Sequence, residues 1–185
     1  MPDGEKYLGI SVRKWAATDE SFTDKIVEFA DWFYDTFGIK TLFFPFKLSD
    51  DYEISLEISN KMKSDAYIIR KEYPANVIMG MISRCELVLG MRLHSLIYST
   101  TVAVPVLGIV YDPKVKGFLQ YINQNYNTDA ENVDISYLKN TAEEIMKNKE
   151  LVKNELEENV CRLKKLAMRN AEIAVEILED TVKGK

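Results

Sequence analysis

Two hydrophobic rhythms alternate along the chain. Short apolar runs are separated by stretches in which apolar side chains recur every three or four positions. Tyr7-Leu8-Gly9-Ile10-Ser11-Val12 is a nearly continuous run, as expected of a strand covered on both faces. Phe22, Ile26, Phe29, Phe33 and Phe37 then mark one face of a helix. Gly38 is placed to end it, because glycine adopts the left-handed backbone at a helix C-terminus without steric cost. Thr41-Leu42-Phe43-Phe44 reads as a second strand, followed from about Asp50 by a helix carrying Ile54, Ile58 and Met62. Ala66-Tyr67-Ile68-Ile69 reads as a third strand, and Pro74 is suited to open the next helix. Leu87-Val88-Leu89-Gly90 and Pro105-Val106-Leu107-Gly108-Ile109-Val110 give a fourth and a fifth. Between them Leu93, Leu96, Ile97 and Val102 have roughly helical spacing, and a short helix begins near Asp112-Pro113.

Strands that alternate with helices imply βαβ units. The pattern predicts an α/β fold: a doubly wound, mainly parallel Rossmann-like sheet with helices on both faces and a long C-terminal helix. Ligands of such sheets bind at the carboxyl ends of the strands. From Asp129 the character changes. A short strand is expected near Val133-Asp134-Ile135, then helices from about Ser136 and from about Leu151. The last is long, charged and amphipathic, with Leu156, Val160, Leu163, Ala167, Ala174 and Ile177 on one side. No repeat or linker stands out. Residues 1–185 therefore read as one domain, of which 129–185 form a mainly helical tail.

Composition narrows the class. A chain of 185 residues can bury a full core, and 46% hydrophobic with 29% charged residues is a globular balance. The net charge of −5 argues against a nucleic-acid partner held by bulk electrostatics, while leaving room for a local cationic pocket. Cys85 and Cys161 lie far apart without metal-ligand spacing, and read as buried or incidental thiols of a reducing compartment. Met1-Pro2-Asp3-Gly4-Glu5-Lys6 leads into a strand with no signal-like apolar region. The apolar run at 102–111 is too short to span a bilayer and is broken by Pro105. The expectation is a soluble, cytoplasmic protein.

Candidate chemistry gathers at strand ends. The one histidine, His94, lies in Gly90-Met91-Arg92-Leu93-His94-Ser95, where a strand turns into a helix. An arginine and a histidine there meet the positive end of the helix, a natural place for a phosphate or carboxylate. The first strand ends in Ser11-Val12-Arg13 and the fifth in Tyr111-Asp112-Pro113-Lys114. In a doubly wound sheet these ends can share an edge, bringing Arg13, Arg92, His94 and Lys114 to one crevice. Hydrogen bonds to charged groups contribute about 1.5–3 kcal/mol each and a helix end about 0.3–1 kcal/mol, so the side chains would dominate anion affinity.

Plainer readings stand beside these. Arg13 is otherwise a solvated strand-end charge, His94 a satisfied core histidine, and Lys114 an exposed helix charge. Arg92 at a helix start is mildly misplaced electrostatically, which favours a functional reading. Lys14, Lys47 and Lys116 read as surface charges, and Cys85 as packing. One histidine and no CxxC exclude a multi-histidine or zinc-ribbon site. Neither Gly-x-Gly-x-x-Gly nor GxxxxGK[ST] occurs, which removes dinucleotide and P-loop readings. The pattern calls for no metal and no cofactor.

Gly9-Ile10-Ser11-Val12-Arg13, Phe44-Pro45-Phe46, Gly90-Met91-Arg92-Leu93-His94-Ser95-Leu96-Ile97 and Gly108-Ile109-Val110-Tyr111-Asp112-Pro113-Lys114-Val115 occur in this order. Together they resemble the polysaccharide pyruvyl transferase family, over residues 9–118. The resemblance implies a GT-B-like enzyme of two Rossmann-like domains facing a cleft, of which this chain is similar to the C-terminal, donor-binding one, with the N-terminal domain absent. It implies transfer of a pyruvyl group from phosphoenolpyruvate to a sugar as a cyclic ketal, in exopolysaccharide or cell-wall polysaccharide synthesis. By motif match Arg13, Arg92, Leu93, His94, Ser95 and Lys114 form the donor pocket. Arg92 and His94 stand at the chemistry, the histidine as proton donor or as phosphate ligand. Implied partners are phosphoenolpyruvate, a saccharide acceptor that is free or lipid-linked, and the missing N-terminal domain. The place of action is the cytoplasm or the inner face of the membrane.

The final helix is a candidate homodimer surface; alternatively it covers its own sheet. The isolated chain is expected to bind donor with little turnover. Two rival readings remain. One is a GT-B glycosyltransferase domain taking a nucleotide sugar, with Asp112 beside Tyr111 as ribose ligand; the other is a non-catalytic anion-binding or interaction module.

Overall fold

The apolar runs become the strands of one parallel sheet. The computed structural model describes residues 4–16 and 19–183. In chain order its elements are β1 (Tyr7–Ser11), α1 (Glu20–Phe37), β2 (Lys40–Phe43), α2 (Leu48–Lys61), β3 (Ala66–Ile68), α3 (Ala75–Ile82), β4 (Cys85–Gly90), α4 (Leu93–Thr101), β5 (Val106–Val110), α5 (Pro113–Tyr121), β6 (Asn127–Asp129), α6 (Ile135–Lys147) and α7 (Lys149–Lys183). The strands lie in the order β3-β2-β1-β4-β5-β6, and every pairing is parallel. The winding reverses between β1 and β4, so a crevice opens at their carboxyl ends. The expected doubly wound Rossmann-like sheet is the fold observed.

Every residue of β1 and β4 is buried, because alternate side chains enter two different cores. Leu8, Ile10, Leu87 and Leu89 meet Phe29 and Phe33 of α1, Ile54 and Ile58 of α2, and Leu138 of α6. Tyr7, Val88 and Val106 face the other way, onto Ile82 of α3, Leu96 of α4, Leu119 of α5 and Leu156 of α7. Full burial of each large apolar side chain contributes about 1.5–3 kcal/mol, so the phenylalanine face of α1 is a principal anchor. That helix is closed at both ends. Asp19 accepts a hydrogen bond from the Phe22 N–H at 2.9 Å, and Gly38, at φ 67°, donates its N–H to the Tyr34 carbonyl at 2.8 Å.

One expected strand is displaced. The last strand is Asn127–Asp129, not Val133-Asp134-Ile135. Val133 enters the core from a loop, Asp134 caps α6 by accepting from the Tyr137 N–H at 2.9 Å, and Ile135 opens that helix. An edge strand pairs on one side only, so a polar Asn-Thr-Asp segment can fill it. The apolar residues nearby signalled burial, not pairing.

The long helix divides in two. Val152 and Leu156 are buried, the Asn159 side-chain amide donates to the Ile122 carbonyl at 3.0 Å, and Arg162 donates to the Tyr121 carbonyl at 2.9 Å. Those carbonyls end α5, where donors and positive charge are favourable. Residues 164–181 are exposed throughout, including Leu166, Met168, Ile173, Ile177 and Leu178. The apolar side read from the sequence therefore covers the sheet only as far as Leu163. Among the described residues no helix is long and apolar enough to cross a membrane. Both cysteines are free; Cys85 is buried in the second core, and burial pushes its thiol well above the ordinary range.

Candidate functional site

The crevice is built by two adjacent strands and the helix that follows one of them. Ser11 pairs with Gly90 in the β1–β4 ladder, and the Met91 N–H donates to the Ser11 carbonyl at 2.7 Å. Arg13 and Arg92 thus leave the sheet side by side, at the point where the winding reverses. Helix α4 starts at once. Arg92 occupies its N-cap position with extended backbone and gives no side-chain cap, so first-turn N–H groups are left for another acceptor. The Ser95 hydroxyl turns back to donate to the Arg92 carbonyl at 2.6 Å. Gly90 allows this compact start. A Cβ there would lie 2.6 Å from both Ser95 Oγ and Leu96 Cδ2.

The two arginines have different partners. Arg92 Nε donates to Asp51 Oδ2 at 3.0 Å and Arg92 Nη2 to Asp51 Oδ1 at 2.5 Å. The Asp51 side chain is 0% exposed and also accepts the Lys47 backbone N–H at 2.9 Å. This fork ties the start of α4 to the first turn of α2. Arg13 instead extends to Tyr111: Nη1 donates to the phenol oxygen at 3.2 Å and Cζ lies 5.0 Å from the ring centroid. Its Nε is buried without a hydrogen-bond partner, and so is the hydroxyl of Ser11. Among the described residues no carboxylate lies within ion-pair distance of Arg13.

Lys114 sits in the first turn of α5, with its ammonium 3.3 Å from Asp112 and its side chain 56% exposed. Asp112 caps that helix by accepting the Lys114 backbone N–H at 2.9 Å. This backbone hydrogen bond, then the Lys114 ammonium and the field of Arg13, hold the Asp112 carboxyl below its ordinary range against the opposing effect of desolvation. His94 is exposed on the first turn of α4, its ring centroid 6.1 Å from that of Tyr98. The core-histidine reading does not hold. Leu93 is partly buried in the second core and Ser95 fully so.

The structure therefore brings Arg13, Arg92, His94, Ser95 and Lys114 to one sheet edge, but with unequal freedom. Arg92 and Lys114 are matched by carboxylates. Arg13 and the uncapped start of α4 carry the positive character that an incoming anion would meet, with the exposed His94 beside them. Two residues escaped sequence reasoning. Asp51 gave only the signal of an acidic residue at a helix start, which does not name a partner 41 positions away. Ser11 read as a strand residue, and only the three-dimensional placement leaves its hydroxyl unpartnered beside the crevice.

Cavities flank the crevice on both sides. One of about 220 Å³ lies at the ends of β2 and β3, walled by Phe44, Phe46, Tyr73 and Tyr98. Another, of about 480 Å³, lies at the ends of β5 and β6 and includes Trp15, Tyr111, Asp129 and Glu131. Among the described residues no group of three or more histidine, cysteine or acidic side chains is arranged to hold a metal ion.

The sequence model of the polysaccharide pyruvyl transferase family matches residues 4–113. No curated protein matches the sequence. Among solved structures the chain is similar to the glycotransferase of kitacinnamycin, with a TM-score of 0.62 and 11% identity over 95% of this chain and 44% of that one. It is also similar to the UDP-forming α,α-trehalose-phosphate synthase from Burkholderia vietnamiensis, with a TM-score of 0.55 and 10% identity over 92% of this chain and 44% of that one. A third similar structure is the glycosyltransferase SnogD from Streptomyces nogalater, with a TM-score of 0.53 and 9% identity over 91% of this chain and 46% of that one. At such identities the likeness is one of fold, Rossmann-like and GT-B-like. The chain spans less than half the length of each of these structures.

Proposed function

The chain belongs to the polysaccharide pyruvyl transferase family, and on that premise we propose that its crevice binds phosphoenolpyruvate as donor of a pyruvyl group. The observation that carries this reading is Arg13: a half-buried guanidinium at the winding reversal, with no carboxylate partner among the described residues and an unused buried N–H. Phosphoenolpyruvate carries a phosphate and a carboxylate, and needs a binding edge with uncompensated donors on it. Arg13 takes one anionic group. The first-turn N–H groups at Leu93 and His94 take the other, as helix starts do, while that of Ser95 already donates to the Arg92 carbonyl at 3.0 Å. Arg92 spends two of its five N–H donors on Asp51 and offers the rest to the ligand, held in place by that fork. Lys114, tied to Asp112, adds a weaker contribution from the rim.

The chemistry follows from these placements. His94 delivers a proton to the methylene carbon of the enol, which becomes the methyl group. The neighbouring carbon takes on positive character, stabilised by a lone pair of the phosphate ester oxygen it bears and by the negative charge of the adjacent carboxylate. One acceptor hydroxyl adds there, the bond from that carbon to the phosphate oxygen breaks, and a second hydroxyl closes the ketal. The two hydroxyls release two protons: one restores His94 and one leaves with phosphate. Arg13 and the helix start neutralise the charge that gathers on the departing phosphate. The acceptor is a saccharide, free or lipid-linked, at the inner side of the membrane. A further domain facing this edge completes its binding.

Calorimetric titration of the chain with phosphoenolpyruvate, beside uridine diphosphate, tests the donor. Binding of phosphoenolpyruvate that weakens about ten- to a hundredfold in Arg13→Ala supports the reading, since a charged hydrogen bond contributes about 1.5–3 kcal/mol. Uridine diphosphate binding in its place would make the site that of a nucleotide-sugar glycosyltransferase.

A further inference from the structure

Tyr111 stands at the same sheet edge as the donor crevice, and the donor reading gives it no part. Strand order explains how it reaches Arg13. β4 lies between β1 and β5, and Ser11, Gly90 and Gly108 form one row across the three strands. Neighbouring strands are about 4.8 Å apart, so β1 and β5 are separated by about 10 Å. The Arg13 side chain closes that gap from one side and the Tyr111 side chain from the other. Nη1 of Arg13 donates to the phenol oxygen at 3.2 Å, and Cζ lies 5.0 Å from the ring centroid. The guanidinium is thereby held across the end of β4, where α4 begins.

The kind of partner matters. Arg92 is held by the Asp51 carboxylate, which offsets its charge. Tyr111 holds Arg13 with a neutral oxygen and an aromatic face, and neither cancels the positive charge. Among the described residues the Arg13 side chain makes no other hydrogen bond. A long side chain that must stop moving when a ligand arrives weakens binding; one already fixed does not. Tyr111 is itself well anchored. Its ring packs against both cores and meets Trp15 at a centroid distance of 5.9 Å. On either side of it, the Val110 carbonyl accepts the Ala130 N–H at 2.9 Å and Asp112 caps α5.

We propose that Tyr111 is a positioning residue, which presets Arg13 across the start of α4 as a fixed cation with its charge intact, before the anion arrives. The presetting belongs to the free chain. Its consequence, a gain in affinity for phosphoenolpyruvate, rests on the donor reading above.

Two measurements on the whole chain test this, the first without ligand. Nitrogen-15 relaxation of the Arg13 Nε–H group, assigned by its loss in Arg13→Lys, is expected to give an order parameter above about 0.6. It should fall by about 0.2 or more in Tyr111→Leu. The second is titration with phosphoenolpyruvate. Affinity should drop about tenfold in Tyr111→Leu and about threefold in Tyr111→Phe, which keeps the ring and loses the oxygen. In an Arg13→Ala background the same substitutions should change affinity by less than about twofold, because nothing is left to position. Equal weakening in both backgrounds would mean that Tyr111 acts on the fold or touches the ligand itself, and would overturn the proposal. An Arg13 order parameter unchanged in Tyr111→Leu would overturn it as well. If the unmodified chain does not bind phosphoenolpyruvate but Arg13 is still loosened in Tyr111→Leu, the donor reading fails and the presetting stands. Phosphoenolpyruvate binding that is indifferent to Tyr111, with Arg13 equally ordered in both chains, does the reverse.

Discussion

Arg13 and Arg92 emerge from neighbouring strands, yet one guanidinium is locked to a buried carboxylate and the other is not. Stability and ligand affinity should therefore separate between them. Arg92→Ala strands Asp51, fully buried, with only the Lys47 N–H for company. Breaking a buried pair in this way costs about 3–5 kcal/mol, so the denaturant midpoint should fall sharply. Arg13→Ala removes a hydrogen bond to a tyrosine and a ring contact, together about 1–2 kcal/mol, but takes away the cation that an anion would meet. Paired denaturation and titration of the two variants check the split. Equal losses of stability would mean that the Asp51 fork is not the anchor it looks to be. Tyr7 gives a second test, through pH. Burial first, and then its 2.7 Å hydrogen bond to Glu5, push its phenol up to about 12. Between pH 10 and 12 the unfolded chain gives up this proton while the folded chain keeps it. The native state then binds more protons, so stability falls as pH rises through that window, by about 2–3 kcal/mol in total. Denaturation midpoints measured across that range should show a shallower decline in Tyr7→Phe than in the parent.

At the scale of elements, the sheet and helices were legible because their periods are strong: the phenylalanine face of α1 and the apolar runs Tyr7–Ile10 in β1 and Leu87–Leu89 in β4 leave few alternatives. β6 was misplaced because a polar edge strand has no apolar signature, whereas Val133, a loop residue in the core, has one. The crevice was legible as three strand ends, and their shared edge followed from the fold. The Asp51–Arg92 fork was not, since nothing local joins a helix start to a strand end 41 residues later. Glycines carry a similar lesson. Gly90 and Gly117 look alike in sequence, but a Cβ at Gly90 would collide with Ser95 and Leu96, while one at Gly117 has nothing within 4 Å. Gly90→Ala should cost about 1–3 kcal/mol by forcing α4 away from β4, and should weaken phosphoenolpyruvate binding as the first turn shifts. Gly117→Ala, inside α5, should instead stabilise by about 0.5–1 kcal/mol. Thermal unfolding of the pair reads the sign difference directly.

For the whole molecule, the open question is what the far half of α7 does. Its near half is part of the domain: Leu156 is fully buried, Asn159 and Arg162 hold the end of α5, and Lys149 forms an ion pair with Glu86 of β4, which also meets Lys6 at 3.4 Å. Beyond Leu163 the helix runs on for roughly 30 Å at 1.5 Å per residue, and its described apolar side chains lie on the surface, where nothing among the described residues covers them. Two consequences can be told apart. If the exposed stretch is energetically idle in the isolated chain, ending the polypeptide after Lys165 should leave the unfolding midpoint within about 2 °C of the parent, because no buried area is lost. Leu156→Ala, in the near half, should cost about 2–5 kcal/mol as a core cavity does. If instead the far half binds a second copy, the midpoint of the full chain should rise with protein concentration, as mass action requires, and the shortened chain should lose that dependence. We expect the first result. The far half carries Arg169 paired with Glu172 at 3.1 Å and Glu176 at 3.0 Å along its own helix, so these three charges are matched without a partner. A midpoint that climbs with concentration, measured by scanning calorimetry over a hundredfold range, would overturn this expectation and make the final helix an interface between copies.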